Sequence, residues 1–486
     1  MRATGGESHG SSPHLERRLT LFDSVMIVIS GTIGPSIFII PAAVMHSVPD
    51  PRIALFLWVF AGGITLLAGL ACAELAAMFP EAGGQYVFLR EAYGPFPAFL
   101  YGWVLFTVGN SSGIAATAIA AALFLGQAFP SLNADHLMWS TRIAGWPVSI
   151  TQGSLIAVGS VVLLTAINLR SVKFAAWLQN FTALAYLIAV LAIVAVGFAL
   201  GHGSFTHFTS GSGFAGTTAA GAGVAMIALF YSYDGWEFLS WVGGEIKNPR
   251  RNLPLGLILG IALVILTYLM ANAVFLYALP PTELASAAVP AGAAMGRLFS
   301  ADVGRAVAFF IALISFGANS VGVLGGARIY YSMAKDGAFF HALTQLHPRW
   351  HTPATSLIVQ CVWSCLLILS SSYDQLYTYF IFMMTLAYVM TVAAVIVLRR
   401  TQPDRPRPYR CYGYPWLPLL YIVIGTGFVL STLIARPREA LTGLGLAALG
   451  IPLYLHWRRQ RDAAQTDTRE RPLLERLQGG VNHEPE

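Results

Sequence analysis

Asp234 and Glu237 stand three residues apart within the apolar stretch FYSYDGWE at 230 to 237. An ionisable group that deep in an apolar run marks a functional position. The spacing is that of an N-cap and its N3 partner, a capping box with Asp in place of the usual Ser or Thr. Asp234 therefore has two readings: a cap for a restarted half-helix, or a direct contact with a substrate ammonium or a transferred proton. A second interruption, SGTIGPSIF at 30 to 38, is uncharged but holds Gly31, Gly34 and Pro35. Lipid supplies no hydrogen-bond partner, and each unsatisfied backbone group in it costs roughly several kcal/mol, so broken helix persists only where it is buried or lines a cavity. Two such breaks at matching positions point to a binding site near the membrane midplane.

The first break ends one half-helix in free carbonyls near Ser30 to Thr32 and opens the next with free amides near Ser36 to Phe38. Aligned peptide dipoles leave about half a negative charge on the first end and about half a positive charge on the second. A free α-amino acid, with ammonium and carboxylate two bonds apart, satisfies both. The second break adds another carbonyl end through Tyr231, Ser232 and Tyr233. Phe230, Tyr231, Tyr233 and Trp236 either cover a ligand or fill the bundle. Ser315 and Asn319 share a helix face, with Ser320 beside them, for hydrogen bonds between helices or for ligand contact. Thr20 and Asp23 have the pattern of a helix start, and Glu74 requires a cationic partner that the sequence does not name.

These residues need a membrane-spanning frame to hold them. The 486-residue chain is 56% hydrophobic and 11% charged, with mean hydropathy +0.63, the profile of an integral membrane protein. Windows long enough to span a core of roughly 30 Å occur at about 22–46, 53–79, 95–126, 151–167, 174–200, 219–243, 254–279, 303–327, 354–370, 376–398, 414–435 and 440–457. Twelve crossings put both termini on one side. Of the 29 Lys and Arg residues, all but Arg52, Arg142, Arg297, Arg305, Arg436 and Arg438 then fall inside, which makes both termini cytoplasmic. The net charge of +6 is thereby inner-face charge and gives no support to a nucleic-acid partner. The first apolar segment reads as a retained helix, too long for the core of a cleaved leader.

The breaks open two five-span halves. Because five is odd, the second half enters the membrane in the opposite sense, which makes any repeat an inverted one. The expected organisation is a tail at 1–20, a first repeat at 21–200, a second at 219–398, two extra helices at 411–457 and a tail at 458–486. Cys72, Cys361, Cys365 and Cys411 lie in helices or on the inner face, so no extracellular disulfide framework is expected. The histidines fall on loops, with none clustered at the midplane, so neither an enzyme nor a metal site is expected, and no cofactor is called for. The inner loops FPEAGGQY at 79–86, KNPRRNLP at 247–254 and PDRPRPYR at 403–410 read as turns whose arginines anchor at headgroup level, or as an inner gate closed by salt bridges.

The stretches GTIGPSIFIIP, ELAAMFPEAGGQYVFLREAYG, FYSYDGWEFLSWVGGEIKNPRRNLP and FGANSVGVLGGARIYYSMAKDG resemble the amino acid-polyamine-organocation superfamily, closest to bacterial members of its L-amino acid transporter branch. The resemblance runs from about residue 18 to 435. It implies a LeuT-like fold and amino acid import or exchange by alternating access. It also implies a substrate carboxylate on helix 1 amides at Gly34, Pro35 and Ser36, and an ammonium on carbonyls at Thr32, Ile33, Tyr231 and Asp234. Tyr231 takes the place of the family's aromatic gate. Two positions depart from the family's pattern. Pro35 has no N–H to give, which shifts carboxylate binding to Ser36 and Ile37. Where many relatives carry a lysine in the fifth helix this chain has Tyr186, which argues against lysine-mediated proton coupling.

The expectation is thus a sodium-independent exchanger of neutral L-amino acids in a bacterial inner membrane, with Trp236, Glu237, Tyr186, Ser315 and Asn319 as further coupling or gating candidates. The alternatives are a proton-coupled symporter and a cationic amino acid or polyamine exchanger using Asp234 or Glu237. A single-span partner subunit remains open.

Overall fold

The computed structural model describes residues 17 and 19–459, apart from 81–83, 133, 144–145, 212–215, 336, 338 and 351. Most of both expected tails lies outside the described residues. The chain is almost entirely helical. Helix α1 (Leu21–Thr32) is followed by a 3-10 turn at Pro35–Phe38 and by α2 (Ile40–Ser47). Then come α3 (Pro51–Met78), α4 (Gln85–Tyr93), α5 (Pro95–Val104), a π turn at Leu105–Gly109 and α6 (Asn110–Ala128). After a hairpin of β1 (Leu137–Ile143) and β2 (Trp146–Thr151) follow α7 (Gln152–Arg170) and α8 (Val172–Leu200).

The second half opens with α9 (Ala219–Ser232), the one-turn α10 (Phe238–Trp241) and the long α11 (Pro249–Ala278). Two short helices, α12 (Pro281–Ser286) and α13 (Pro290–Leu298), lead to α14 (Ala301–Ala318) and α15 (Ser320–Lys335). The remainder is α16 (Ala354–Ser370), α17 (Tyr373–Thr401), α18 (Trp416–Ala435) and α19 (Pro437–Ala448).

Among the described residues eight helical stretches are long and apolar enough to cross a membrane, and four shorter apolar ones, Leu21–Thr32, Leu184–Leu200, Ala219–Ser232 and Ala354–Ser370, fall in the remaining expected windows. Their starts follow from side-chain chemistry. Thr20 and Asp23 form a reciprocal capping box on α1, as the sequence pattern predicts, and Ser372 with Gln375 does the same for α17. Asp50 accepts from the amides of Arg52 and Ile53 at 3.0 and 3.3 Å to begin α3.

Three features depart from the window reading. The β1–β2 hairpin occupies a stretch read as loop. The window at 303–327 is interrupted at Asn319, between α14 and α15. The amphipathic α4 lay outside every window because it has no continuous apolar run.

Helix α11 packs against both α1 and α3, and α17 spans the bundle from α9 to α18. Near the C-terminal end of α3, Glu74 finds its cations. Its fully buried carboxylate accepts from Arg399 Nε and Nη2 at 2.9 and 2.6 Å, and Arg407 Nε lies 3.5 Å away. The backbone N–H of Cys411 adds a further bond at 2.6 Å. Arg407 in turn donates to the carbonyls of Leu398, Gln402, Pro403 and Arg405, which ties the segment after α17 into a compact turn. The segment PDRPRPYR is thus a turn, as one of its two readings has it, and its Arg405 and Arg407 lie in ion-pair range of Glu91 and Glu74.

Candidate functional site

The two breaks meet. Helix α1 stops because Ile33 and Gly34 turn extended and Pro35 cannot donate; Ile33 N–H still reaches Ile29 O at 2.8 Å, but the ladder ends there. Helix α9 stops at Ser232, and Gly235 at φ +100° swings the chain out of helical conformation. At the crossing the backbones are in near contact. A Cβ on Gly31 would lie 2.5 Å from Gly235 O, and one on Gly235 would lie 2.2 Å from Gly31 O. Only two glycines permit that approach.

Tyr268 of α11 joins the half-helix ends. Its hydroxyl is 2.8 Å from both Thr32 O and Ser232 O. Behind it, Trp58, Tyr233 and Tyr268 form a buried aromatic cluster with ring centroids 5.1 to 6.0 Å apart, and Tyr233 OH donates to Trp58 O at 3.0 Å. Neither Tyr268 nor Trp58 stood out in the sequence. Each lies in a long apolar span where an aromatic residue is ordinary packing, and no spacing rule links residues 36 or more positions apart.

The expected carbonyl and amide groups can now be followed individually. Thr32 O is engaged by Tyr268, and Tyr231 O accepts from the Tyr233 and Asp234 amides. Among the described residues the amide of Ser36 has no recorded acceptor, at the start of a 3-10 turn whose four residues are all buried. The side-chain oxygens of Thr32 and Ser232 are also buried without a partner. Backbone donors and polar side chains of both breaks thus converge on one region without neutralising each other.

The capping account of Asp234 requires correction. The helix restarts at Phe238, so Glu237 occupies the N-cap position, and no side chain caps it. The positive φ of Gly235 delays the restart by three residues and removes Asp234 from capping register. Asp234 instead accepts from Tyr388 OH of α17 at 2.5 Å, and Glu237 accepts from Gly235 N–H at 3.1 Å. Both residues line or adjoin a cleft on the second break: Asp234, Trp236, Thr65, Thr385, Tyr388 and Tyr421 are among its walls, and no residue of the first break is.

The remaining candidates divide. Tyr231 stacks on Tyr377 at 5.4 Å and meets Tyr373 and Phe380 edge-on, an aromatic cluster shared with α17. Trp236 packs on Tyr388 at 5.4 Å. Tyr186 and Ser315 come together through a 2.7 Å hydrogen bond, and the Tyr186 ring stacks on Phe38 of the first break at 6.1 Å. Asn319 instead reaches Ile114 O of α6 at 3.0 Å, an interhelical bond.

A bundle of long apolar helices enclosing two broken ones, with polar backbone turned into a buried centre, is the build of a multi-pass membrane transporter. Residues 19–451 match the amino acid permease family, and the chain is a member of it, a transporter and not an enzyme. It is 30% identical over 457 residues to the serine/threonine exchanger SteT of Bacillus subtilis (strain 168), covering 93% of this chain and 99% of that protein. It is 28% identical over 426 residues to the b(0,+)-type amino acid transporter 1 of Mus musculus, 87% of this chain and 84% of the relative. The human cystine/glutamate transporter is 28% identical over 441 residues, 90% and 85% of the two chains.

Proposed function

We propose that the protein exchanges neutral L-amino acids across a bacterial inner membrane by alternating access, independently of sodium. In this reading the chain crosses twelve times with both termini cytoplasmic, and 21–200 and 219–398 are inverted repeats of a LeuT-like fold. The substrate sits where the breaks face each other. Its carboxylate takes the amides of Ser36 and Ile37 beyond Gly34 and Pro35, and its ammonium takes the oxygens around Thr32, Ile33, Tyr231 and Asp234. Tyr231 closes over it.

The observation that carries this reading is the start of the 3-10 turn at Pro35–Phe38, where the Ser36 amide has no recorded acceptor, opposite a second half-helix end. Half-helix N-termini of this kind favour an anionic group. The relatives named as exchangers and amino acid transporters support exchange over channel flux. One further relative, in humans, is named large neutral amino acids transporter small subunit 2, at 26% identity over 453 residues, which keeps a partner subunit within the proposal.

Counterflow into proteoliposomes tests it. Purified chain alone, in vesicles preloaded with unlabelled L-threonine, should accumulate labelled neutral amino acids without sodium and hardly at all when the vesicles are empty. Equal uptake into empty and loaded vesicles would overturn exchange. Stimulation only by lysine, arginine or polyamines would move the substrate class to cations, and activity only with a co-purified single-span protein would make that partner obligatory.

A further inference from the structure

The β1–β2 hairpin between α6 and α7 belongs to neither break, and its first strand turns apolar side chains outward. Leu137, Met138 and Trp139 follow one another on β1, and each is between 50% and 57% exposed. Strict alternation would send Met138 to the opposite face from its neighbours. The register instead shifts there, so that Leu137 and Trp139 pair with the adjacent residues Thr151 and Ile150. A bulge of this kind re-aims a side chain, and all three apolar residues stand outside the core.

The base of the hairpin places it against the membrane-spanning helices. Gln152 N–H donates to His136 O at 3.0 Å and Gly153 N–H to Ala134 O at 2.9 Å, which ties the base to the first turn of α7. Ala134 is wedged between two glycines: a Cβ on Gly126 of α6 would lie 2.9 Å from its Cβ, and one on Gly153 of α7 would lie 2.8 Å from its carbonyl oxygen. Strand β2 packs on α7 and α16. Both helices carry exposed apolar residues at helical spacing, Leu155, Val162 and Leu163 on α7 and Ile358, Val362 and Leu366 on α16. In a membrane-spanning helix such a stripe faces lipid. The hairpin therefore continues, beyond the start of α7, a surface already given to lipid.

Two constraints then fix its depth. Among the described residues β1 and β2 pair only with each other, which leaves two open edges. Their free N–H and C=O groups have no partner in hydrocarbon, so the hairpin does not lie there. Three adjacent exposed apolar side chains, one of them an indole, are equally out of place in bulk water. The headgroup layer satisfies both demands, and tryptophan is enriched at that level. A protein partner fits less well, because a stable interface takes about 20–30 residues a side and this apolar strip is three residues long.

We propose that the β1–β2 hairpin is a membrane-interface anchor, with Leu137, Met138 and Trp139 seated among phospholipid headgroups beside the start of α7. It fixes the level at which α6 ends and α7 begins. The anchor requires only that the chain spans a membrane, and it holds whichever amino acid is carried.

Fluorescence quenching in vesicles of phosphatidylethanolamine and phosphatidylglycerol tests it. Full-length Trp139→Cys is labelled with a nitrobenzoxadiazole dye; wild-type protein taken through the same labelling supplies the blank, since Cys361 and Cys365 are half-buried. The dye should emit at shorter wavelength than in buffer and be shielded from iodide. A nitroxide near the glycerol end of the lipid acyl chain should quench it more strongly than one at the methyl end. Quenching by iodide with none from either lipid label would put the hairpin in water and overturn the proposal. Strongest quenching from the methyl end would put it in hydrocarbon, and shielding from all three quenchers would mean that a second copy of the chain covers it; each outcome also overturns the anchor. Leu137→Cys, labelled in the same way, gives the reading if the Trp139 variant does not fold.

Discussion

The two breaks solve one problem with different chemistry. The first, at 30–38, carries no charge: its polarity is all backbone and hydroxyl, wound into a 3-10 turn behind a proline. The second, at 230–237, carries two carboxylates, Glu237 buried and Asp234 half-buried, and a glycine at positive φ, and Asp234 turns to Tyr388 of α17. Fixed dipoles hold a zwitterion with little dependence on pH, whereas carboxylates can change charge. The difference separates a binding half from a switching half, and both are tied to α11 by the single hydroxyl of Tyr268.

Gly235→Ala presses hardest on that division. Its Cβ would sit 2.2 Å from Gly31 O at a backbone φ of +100°, so the overlap comes on top of about 1–3 kcal/mol of backbone strain. Transport should be lost along with much of the folded yield, measured by thermal unfolding in detergent. Gly31→Ala meets the same contact from an ordinary backbone conformation and should cost less; equal losses would mean that the breaks are interchangeable.

Next comes Ser36→Leu, which should abolish amino acid binding while leaving thermal stability near wild type, because it fills the space beside the residue's own amide. Unchanged affinity in a scintillation proximity assay would remove Ser36 from the binding half. Tyr268→Phe deletes the donor shared by Thr32 O and Ser232 O. Leaving buried carbonyls unsatisfied costs about 1–3 kcal/mol, and exchange should fall about tenfold by the same scale. A drop confined to one break's function, binding or pH response, would show that the tyrosine serves only one side.

The smallest effect is expected from Tyr186→Phe. It removes one neutral hydrogen bond to Ser315, worth about 0.5–1.5 kcal/mol, while Ser315 keeps its bond to Ile311 O and the ring keeps its stack on Phe38. Exchange should stay within a few-fold of wild type with an unaltered pH profile. A flattened pH profile would place the proton-handling group beside the first break and reverse the division.

Helices and breaks were legible because they are written locally. An apolar run, a Thr-x-x-Asp start, and a glycine beside a proline or aspartate each act within one or two turns. The partners were not. Tyr388 lies 154 residues from Asp234, Arg399 lies 325 from Glu74, and a tyrosine or arginine in or beside an apolar span has no local pattern that names its contact. The misassigned cap at Asp234 had a different cause: the spacing was right for a helix restarting at once, but the conformation of Gly235 postponed the restart, and φ is not readable from spacing.

The fastening at Glu74 also restricts how this chain can change over generations. Replacing that buried carboxylate alone leaves Arg399 and Arg407, the latter 7% exposed, without their anionic partner, and removing one partner of a buried pair costs about 3–5 kcal/mol. A tolerated path therefore needs concerted substitutions on α3, on α17 and in the segment that follows it. A chimera that borrows α17 from a relative should be cut after Cys411, so that Arg399, Arg407 and the amide that completes the cage travel together.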